Sequence, residues 1–253
     1  MEAIVLGSGT SLGIPIIGCS CEACTSTNPK DKRLRSSIFI KSDNTNFIID
    51  VGPDFRQQML RENIKKIDAV LITHEHRDHI GGLDDIRPFN YLSNAAMPIY
   101  AEQRVCDAII NEFSYSFNDN DYPGIPKFNI NAISEEKFTI KDIEIQPIRL
   151  MHANLPILGF KIKDFVYITD ASFISDTEIK KIKNSKILII NALRHKKHNS
   201  HFSLNEAIKI AQKTNAEQVF LTHISCSMGL HNKINSELPE NIKLAYDGLR
   251  IVF

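Results

Sequence analysis

The chain has 253 residues, of which 43% are hydrophobic and 24% are charged. These values are ordinary for a globular protein and exclude an intrinsically disordered chain. Thirty Lys and Arg residues balance thirty Asp and Glu residues, so the formal net charge is +0. That balance disfavours a strongly basic nucleic-acid-binding protein, although it does not exclude a local basic patch. No apolar run approaches the ~20 residues that span a bilayer, so we expect no membrane segment.

Short apolar runs bounded by Gly, Asp or Asn predict β-strands at residues 3–6, 37–40, 46–49, 69–73, 143–148, 160–163, 165–169, 186–190, 218–221 and 249–252. Asp54-Phe-Arg-Gln57 resembles a capping box and predicts a helix start. Apolar residues spaced i, i+3 and i+4 predict helices at 102–113 and 204–213.

This strand-rich order predicts an α/β fold in which two mixed β-sheets pack face to face with helices outside. A doubly wound sheet fits less well, because it would need a helix after nearly every strand. Residues 113–138 are rich in Asn, Asp, Pro and Gly, which predicts an irregular insertion near a site. We expect one domain over residues 1–253.

The first seven residues carry no basic segment and no small-residue cleavage site, so we expect no signal peptide and a cytoplasmic location. Five cysteines are too few for a secreted disulfide framework. Cys19, Cys21 and Cys24 lie within six residues of one another. In a reducing compartment such a cluster indicates a metal site.

The segment 69–82 is the most informative in the chain, because a buried strand is followed within six residues by His74, His76, Asp78 and His79. His74 and His76 can aim their imidazoles at one point, whereas Asp78 and His79 can reach a second point beside it. Imidazoles combined with carboxylates suit Zn²⁺, Mn²⁺ or Fe.

Three further candidate ligands, His152, Asp170 and His223, each follow an apolar strand. Singly they have ordinary explanations as a turn histidine, a helix N-cap and a core histidine. Together with the loop they complete a seven-ligand set for two metals. Two cations ~3.5–4 Å apart hold a shared water and make hydroxide available at neutral pH. Asp50 is expected to accept the second N–H of a ligand histidine.

The ordered set resembles the metallo-β-lactamase superfamily over nearly the whole chain. The resemblance implies an αβ/βα sandwich with a dinuclear site. In such a site, one metal is held by His74, His76 and His152, the other by Asp78, His79 and His223, and Asp170 bridges the two. It also implies hydrolysis, because the flavodiiron oxygen reductases of this superfamily carry Glu at the position of His76.

The spacing Cys19-x-Cys21-x-x-Cys24 places three thiolates within reach of one tetrahedral Zn²⁺, and Cys226 is the candidate fourth ligand. A disulfide and a redox sensor are the alternatives. Cys106 lies in a predicted helix and is expected to be a core residue. The cluster resembles that of the cyclic phosphate phosphodiesterases of bacterial phosphonate degradation (the PhnP type). In that family a His stands at the position of Cys226, and both ligand sets are ordinary structural zinc sites.

His201 opens the predicted helix 204–213, with Ser203 as its N-cap and Glu206 as the capping-box partner. The phosphodiesterase resemblance implies that His201 contacts the substrate phosphate and acts as a general acid. The alternative is a histidine exposed to water at a helix N-terminus. Asp78 is the second candidate catalytic residue, as the group that orients the shared water. Weaker candidates for substrate contact are Arg194, His198 and His231.

We therefore predict a dinuclear metal-dependent hydrolase with one separate structural zinc. Its expected activity is that of a phosphodiesterase on a small cyclic or nucleotide-like phosphate ester. The alternatives are an RNA-processing nuclease resembling tRNase Z, a thioester or lactone hydrolase, and a mono-iron dioxygenase. Neutral charge and the lack of a basic, Gly-rich arm disfavour the nuclease, and the cysteine cluster disfavours the thioester or lactone hydrolase. The sequence leaves open a homodimer and the identity of the metals.

Overall fold

The computed structural model describes residues 1–118 and 124–253. The strands are β1 (Glu2–Gly7), β2 (Ser37–Lys41), β3 (Asn46–Ile49), β4 (Ala69–Leu71), β5 (Met97–Glu102), β6 (Phe128–Ile133), β7 (Phe138–Ile140), β8 (Ile143–His152), β9 (Leu155–Ile162), β10 (Phe165–Ile168), β11 (Phe173–Ile174), β12 (Ile187–Asn191), β13 (Gln218–Thr222), β14 (Ile242–Leu244) and β15 (Arg250–Val252). The α-helices are α1 (Glu22–Thr25), α2 (Phe55–Glu62), α3 (Arg77–Ile80), α4 (Arg87–Ser93), α5 (Gln103–Glu112), α6 (Asp176–Ile182), α7 (Leu204–Thr214) and α8 (His231–Glu237). Short 3₁₀ helices lie at Pro29–Asp31, Leu83–Ile86, Ser114–Ser116 and Cys226–Met228.

The strands form two mixed sheets. The seven-stranded sheet has the order β15-β1-β2-β3-β4-β5-β6, and the eight-stranded sheet has the order β11-β8-β9-β10-β12-β13-β14, with β7 paired to β8. In the first sheet, the neighbouring strands β3, β4, β5 and β6 pair in parallel. In the second sheet, β10, β12, β13 and β14 do the same. The predicted sandwich of two mixed sheets is therefore confirmed. Among the described residues, no helix has both the length and the apolar character needed to cross a membrane.

Alternation of side chains along the strands divides the apolar residues between a central core and two outer cores. In β3, Phe47 and Ile49 pack between the sheets with Phe160 and Tyr167 of the second sheet, whereas Ile48 joins the outer cluster that α2 and α5 cover. Burial on both faces explains why these strands are nearly continuous apolar runs in the sequence. Burial of each such side chain stabilises the fold by roughly 1.5–3 kcal/mol. Phe47→Ala would also leave a cavity, so it should destabilise the fold by about 3–5 kcal/mol.

Part of the predicted irregular insertion at residues 113–138 is a regular strand in the structure. Residues 128–133 form β6, which pairs in parallel with β5 at the edge of the seven-stranded sheet. Asn129 is exposed and Asn131 is half-buried on this strand, because an edge strand leaves part of its surface in water. Because of these polar residues, the sequence pattern predicted a loop instead of a strand. Residues 119–123 of the same prediction lie outside the described residues.

The segment at Asp54 begins a helix, as predicted, but its capping interaction is absent. Helix α2 starts at Phe55, and the Asp54 side chain makes no hydrogen bond to the first turn. The carboxylate instead accepts hydrogen bonds from the backbone N–H and the guanidinium of Arg35, each at 2.8 Å. A charge-assisted pair outside the helix therefore replaces the expected cap.

The sheet directions explain where the candidate ligands meet. Since β8 is antiparallel to β9 and β9 is antiparallel to β10, β8 and β10 run in the same direction. His152 is the last residue of β8, Asp170 stands two residues after β10, and His223 comes directly after β13. In sheets of this kind, groups at the carboxyl ends of parallel strands meet along one edge.

Candidate metal centre

Left-handed backbone turns present three of the buried polar side chains. Asp50, Asp170 and His223 have φ values of 66°, 57° and 55°, and each stands just beyond the end of a strand. Asp and His adopt this region more readily than most residues, yet it still costs of order 1–3 kcal/mol at each position. The surrounding core holds these turns in place at the point where the three side chains converge.

His74, His76 and His152 form the first group, with ligand atoms that all lie within 4.8 Å of one another. The Nε2 atom of His74 is 3.1 Å from Nδ1 of His76. His152 donates from Nδ1 to the carbonyl oxygens of Asp170 and Ser200, at 2.7 and 2.8 Å. These two carbonyls fix the imidazole orientation and leave Nε2 of His152 facing the group.

His79, Asp170 and Asp78 form a second group beside the first. The Nε2 atom of His79 is 3.2 Å from a carboxylate oxygen of Asp170 and 3.3 Å from one of Asp78. Nδ1 of His223 lies 3.1 Å from the same Asp170 carboxylate. Burial acts to lower the pKa of His79, but Asp50, Asp170 and Asp78 outweigh it and raise this pKa well above its ordinary value. The group thus carries enough negative charge to attract a cation.

The chemistry of these atoms fits a divalent metal. Burial and the neighbouring His79 lower the pKa of His74 well below its ordinary value, so this imidazole is neutral and offers a lone pair. Burial acts to raise the pKa of Asp170, but His223 and His79 outweigh it and keep the carboxylate ionised. Nε2 of His79 is buried without a hydrogen-bond partner among the described residues. Buried polar atoms that face one another without partners are typical of ligands.

His201 lies inside this centre rather than at an exposed helix end. Its Nδ1 atom is 3.6 Å from a carboxylate oxygen of Asp170, and its ring stacks on His223 with centroids 4.8 Å apart. Burial and His223 lower the pKa of His201 to about 3, so the imidazole is neutral. The helix start was predicted well, since the hydroxyl and N–H of Ser203 both donate to Glu206, at 2.7 and 2.9 Å.

The three weaker candidates for substrate contact have different surroundings. His198 reaches the centre, with its ring 5.2 Å from that of His201. Arg194 turns back on its own loop and donates to the carbonyls of Lys196 and Lys197, at 3.3 and 3.4 Å.

His231 does not join the clustered ligand atoms. It is buried, with Nδ1 lying 3.1 Å from the guanidinium of Arg33 and its backbone N–H donating to Asp31. Burial and Arg33 lower the pKa of His231 to about 4, so its Nδ1 accepts the Arg33 hydrogen bond. His231 therefore helps to hold the first loop in place, and its Nδ1 atom faces Arg33.

The four clustered cysteines come together although Cys226 is far from the others in sequence. The sulfur atoms of Cys19, Cys21, Cys24 and Cys226 lie within 4.8 Å of one another, and all four are free thiols. The pKa of Cys21 is lowered to about 7, mainly because the backbone N–H of Cys24 donates a hydrogen bond to its sulfur. Cys106 is buried apart from this cluster, and its thiol contacts the Ala101 carbonyl at 3.3 Å.

Sequence reasoning missed the threonines that precede the ligands. Thr73 contacts both carboxylate oxygens of Asp50 and Nδ1 of His74, each at 3.0 Å. Thr169 donates to the Asp170 carboxylate at 2.7 Å. The signal was present in the sequence, since a Thr stands directly before His74, Asp170 and His223. A β-branched hydroxyl residue fits a strand end and can orient the side chain beside it.

Comparisons with solved structures agree with the fold. A diphosphatase from the PhnP family matches with a TM-score of 0.93 and 38% identity, covering 100% of this chain and 97% of that chain. Zinc-bound PqqB from Methylobacterium extorquens matches with a TM-score of 0.82 and 17% identity over the whole of both chains. The short form of human tRNase Z has a TM-score of 0.74 at 19% identity and covers 100% and 99%. At these lower identities PqqB and tRNase Z show the fold alone.

Among curated proteins, the octanoyltransferase of Porphyromonas gingivalis is 43% identical over 256 residues, which cover 100% of this chain and 51% of the relative. Coenzyme PQQ synthesis protein B of Methylobacterium radiotolerans is 34% identical over 101 residues, which cover 34% of each chain. The chain thus spans about half or less of the length of these relatives. A family model described as the beta-lactamase superfamily domain matches residues 45–224. The chain belongs to the metallo-β-lactamase superfamily, and within it resembles the PhnP-type enzymes.

Proposed function

We propose that this chain is a dinuclear metal-dependent phosphodiesterase that hydrolyses small cyclic or nucleotide-like phosphate esters. The observation that carries the proposal is the convergence of imidazoles and ionised carboxylates in two adjoining groups, one of His74, His76 and His152 and the other of His79, Asp170 and Asp78. The likeness to a PhnP-family diphosphatase supports a phosphorus substrate and adds the phosphoanhydride bond as a second bond type. Phosphodiester and phosphoanhydride hydrolysis make the same demand on a site, since negative charge develops on phosphoryl oxygens in both.

The donor groups divide between two cations. His74, His76 and His152 would hold one of them, whereas Asp78, His79 and His223 would hold the other. Asp170 would contact both, because its carboxylate lies within 4.8 Å of the ligand atoms of His74 and His79, which belong to different sets. Two bound divalent cations supply hydroxide at neutral pH and neutralise charge on a phosphoryl oxygen. Zn²⁺ and Mn²⁺ both suit this mixture of nitrogen and oxygen donors, and Fe is compatible with it.

The protein's own residues would orient the substrate. His201 lies beside Asp170 at the base of the centre, so its ring can contact a phosphoryl or leaving-group oxygen and hold a proton there. The negative charge of a bound phosphate would raise the pKa of His201 from its low value in the free protein. His198 is the next ring outward and would contact the same phosphoryl group from the rim. Asp78 would orient the attacking water.

The four cysteines would hold a separate structural zinc. Their sulfur atoms already lie within 4.8 Å of one another, and a tetrahedral Zn²⁺ with Zn–S bonds of about 2.3 Å fits such a group. This ion would join the loop of Cys19 to the segment just beyond His223, without taking part in the reaction. Free thiols that bind zinc persist in a reducing compartment, which supports a cytoplasmic location.

A thioester hydrolase is the second candidate, because a relative at 43% identity has the name octanoyltransferase. That name describes a protein of about twice this length, so the acyl chemistry can belong to its other half. Octanoyl thioesters are therefore a necessary member of the substrate panel. An RNA-processing nuclease is a weaker candidate, given the formal net charge of +0.

The test is a hydrolysis screen of the chain reconstituted with Mn²⁺, Zn²⁺ or Fe²⁺. The substrates are phosphodiesters, 2′,3′-cyclic nucleotides, ribose cyclic phosphates, nucleoside diphosphate derivatives, octanoyl thioesters and lactones. We expect metal-dependent release of phosphate monoesters, and two catalytic metals per chain by elemental analysis. Turnover of octanoyl thioesters with no phosphodiester cleavage would favour the second candidate. One bound iron with oxygen uptake would assign the chain to the dioxygenases.

A further inference from the structure

One guanidinium group connects the two loops that carry the first histidine group. Arg104, in the first turn of α5, donates from Nη1 to the carboxylate of Glu75 and from Nη2 to the carbonyl of Pro156, the latter at 2.7 Å. Glu75 stands between His74 and His76 in the sequence. Pro156 lies in the β8–β9 hairpin, where it pairs with Met151, the residue before His152.

The two loops belong to different sheets, so their separation is not set by strand pairing. The loop of His74 and His76 follows β4 of the seven-stranded sheet, whereas His152 ends β8 of the eight-stranded sheet. Yet the rings of His76 and His152 must stay close, and their centroids are 5.1 Å apart. A backbone bond from Leu158 to Thr73, at 3.2 Å, joins the two sheets below this point. Arg104 joins them beside the loop tips.

We propose that Arg104 is a positioning residue that sets the distance of His152 from His74 and His76, and thereby the affinity of the metal these three would hold. The inference rests on the ligand assignment of the proposed function. A guanidinium suits the task because it is planar and presents several N–H groups in a fixed fork. Groups that orient metal ligands from outside the ligand set typically change metal affinity by roughly 10–100-fold when removed.

Simple electrostatics predicts the opposite result, which makes the test sharp. Arg104 places a positive charge near a cation site, so removing that charge alone should tighten metal binding. If the fork geometry dominates, Arg104→Ala should instead weaken binding. Arg104→Lys separates the two effects further, because an ammonium keeps the charge but cannot occupy both positions of the fork.

The experiment measures Zn²⁺ binding to the full chain in competition with a chromophoric chelator, together with zinc per chain after gel filtration. We expect Arg104→Ala to weaken one of three zinc equivalents by roughly 10–100-fold and to leave the other two unchanged. Arg104→Lys should weaken the same equivalent to a smaller extent. The matched control is Arg250→Ala, which removes an arginine of β15 that likewise bridges two other segments, through Glu2 of β1 and Glu62 of α2.

Circular dichroism and thermal unfolding establish that each variant is folded. Unchanged or tighter zinc binding by Arg104→Ala would overturn the inference. Wild-type affinity in Arg104→Lys would also overturn it, because charge rather than the fork would then be responsible. A wild-type chain that binds zinc at the cysteines alone would contradict the proposed function itself, whatever the variants do.

Discussion

The Nδ1 atom of His79 donates a hydrogen bond to Asp50 over 2.8 Å, and both side chains are buried. The bond fixes the imidazole so that Nε2 faces Asp78 and Asp170. The same Asp50 carboxylate accepts hydrogen bonds from the backbone N–H and the hydroxyl of Thr73, at 2.8 and 3.0 Å. One carboxylate therefore orients His79 directly and His74 through the residue before it.

Asp50→Asn should lower the affinity for the catalytic metals by roughly 10–100-fold, because a neutral amide holds the His79 ring less firmly than a carboxylate. Metal content after dialysis, measured by elemental analysis, checks the prediction. Asp68→Asn is the matched control, since this largely buried carboxylate accepts from Asn46 at the opposite end of β3. Equal metal loss in the two variants would show that general destabilisation is responsible.

Asp78→Ala should reduce turnover by at least about 100-fold, since a misplaced nucleophile alone can cost that much. The variant removes both a candidate metal ligand and the group that would orient the attacking water. Initial rates on the best phosphodiester, at saturating metal, provide the measurement. If Asp78→Ala and His223→Ala both retain near-normal rates on every active substrate, the two-metal mechanism is incorrect.

His201→Ala should harm substrates with poor leaving groups far more than p-nitrophenyl esters. An activated leaving group departs without a proton, so it does not need the acid that His201 would supply. The ratio of kcat values on alkyl and p-nitrophenyl phosphodiesters measures the effect. His195→Ala is the control from the same loop. The Nε2 atom of His195 contacts the Met228 carbonyl at 3.0 Å, and His195 is not one of the clustered candidate ligands. Equal losses on both substrates would assign His201 to phosphate binding or to structure.

Cys226→Ala should remove one equivalent of zinc and lower the melting temperature, while the catalytic metals still bind. Cys226→His should largely restore both, because three thiolates and one imidazole form an equally good structural zinc site. Zinc content and thermal unfolding, measured on the same preparations, test the pair. Full zinc content in Cys226→Ala would mean that the fourth ligand is a different group.

The sequence was most informative where the chemistry is local. One short loop carries His74, His76, Asp78 and His79, so their spacing alone indicated a candidate ligand cluster. The remaining candidate ligands were named because each follows an apolar strand. The apolar runs also predicted the sandwich, since strands buried on both faces are distinctive. By contrast, the polar edge strand β6 has the composition of a loop.

Contacts between distant residues were beyond the reach of pattern reasoning. The burial of His201 depends on His223 and Asp170, which come from different strands. Similarly, the link from Arg104 to Glu75 and Pro156 joins residues with no shared periodicity. His231 illustrates the same difficulty, because the sequence made it a weaker candidate for substrate contact, whereas in the structure it contacts Arg33 and Asp31.

The meeting of Cys226 with the first-loop cysteines has a consequence for biosynthesis. A ribosome makes Cys19, Cys21 and Cys24 about two hundred residues before it makes Cys226, so the nascent chain presents an incomplete thiolate trio for most of its translation. The histidine loop emerges in the meantime, but Asp170 and His223 are still missing. Under the proposed ligand assignment, metal loading would be a late event, and a chain stalled before Cys226 would carry thiols that compete for zinc without forming a complete site.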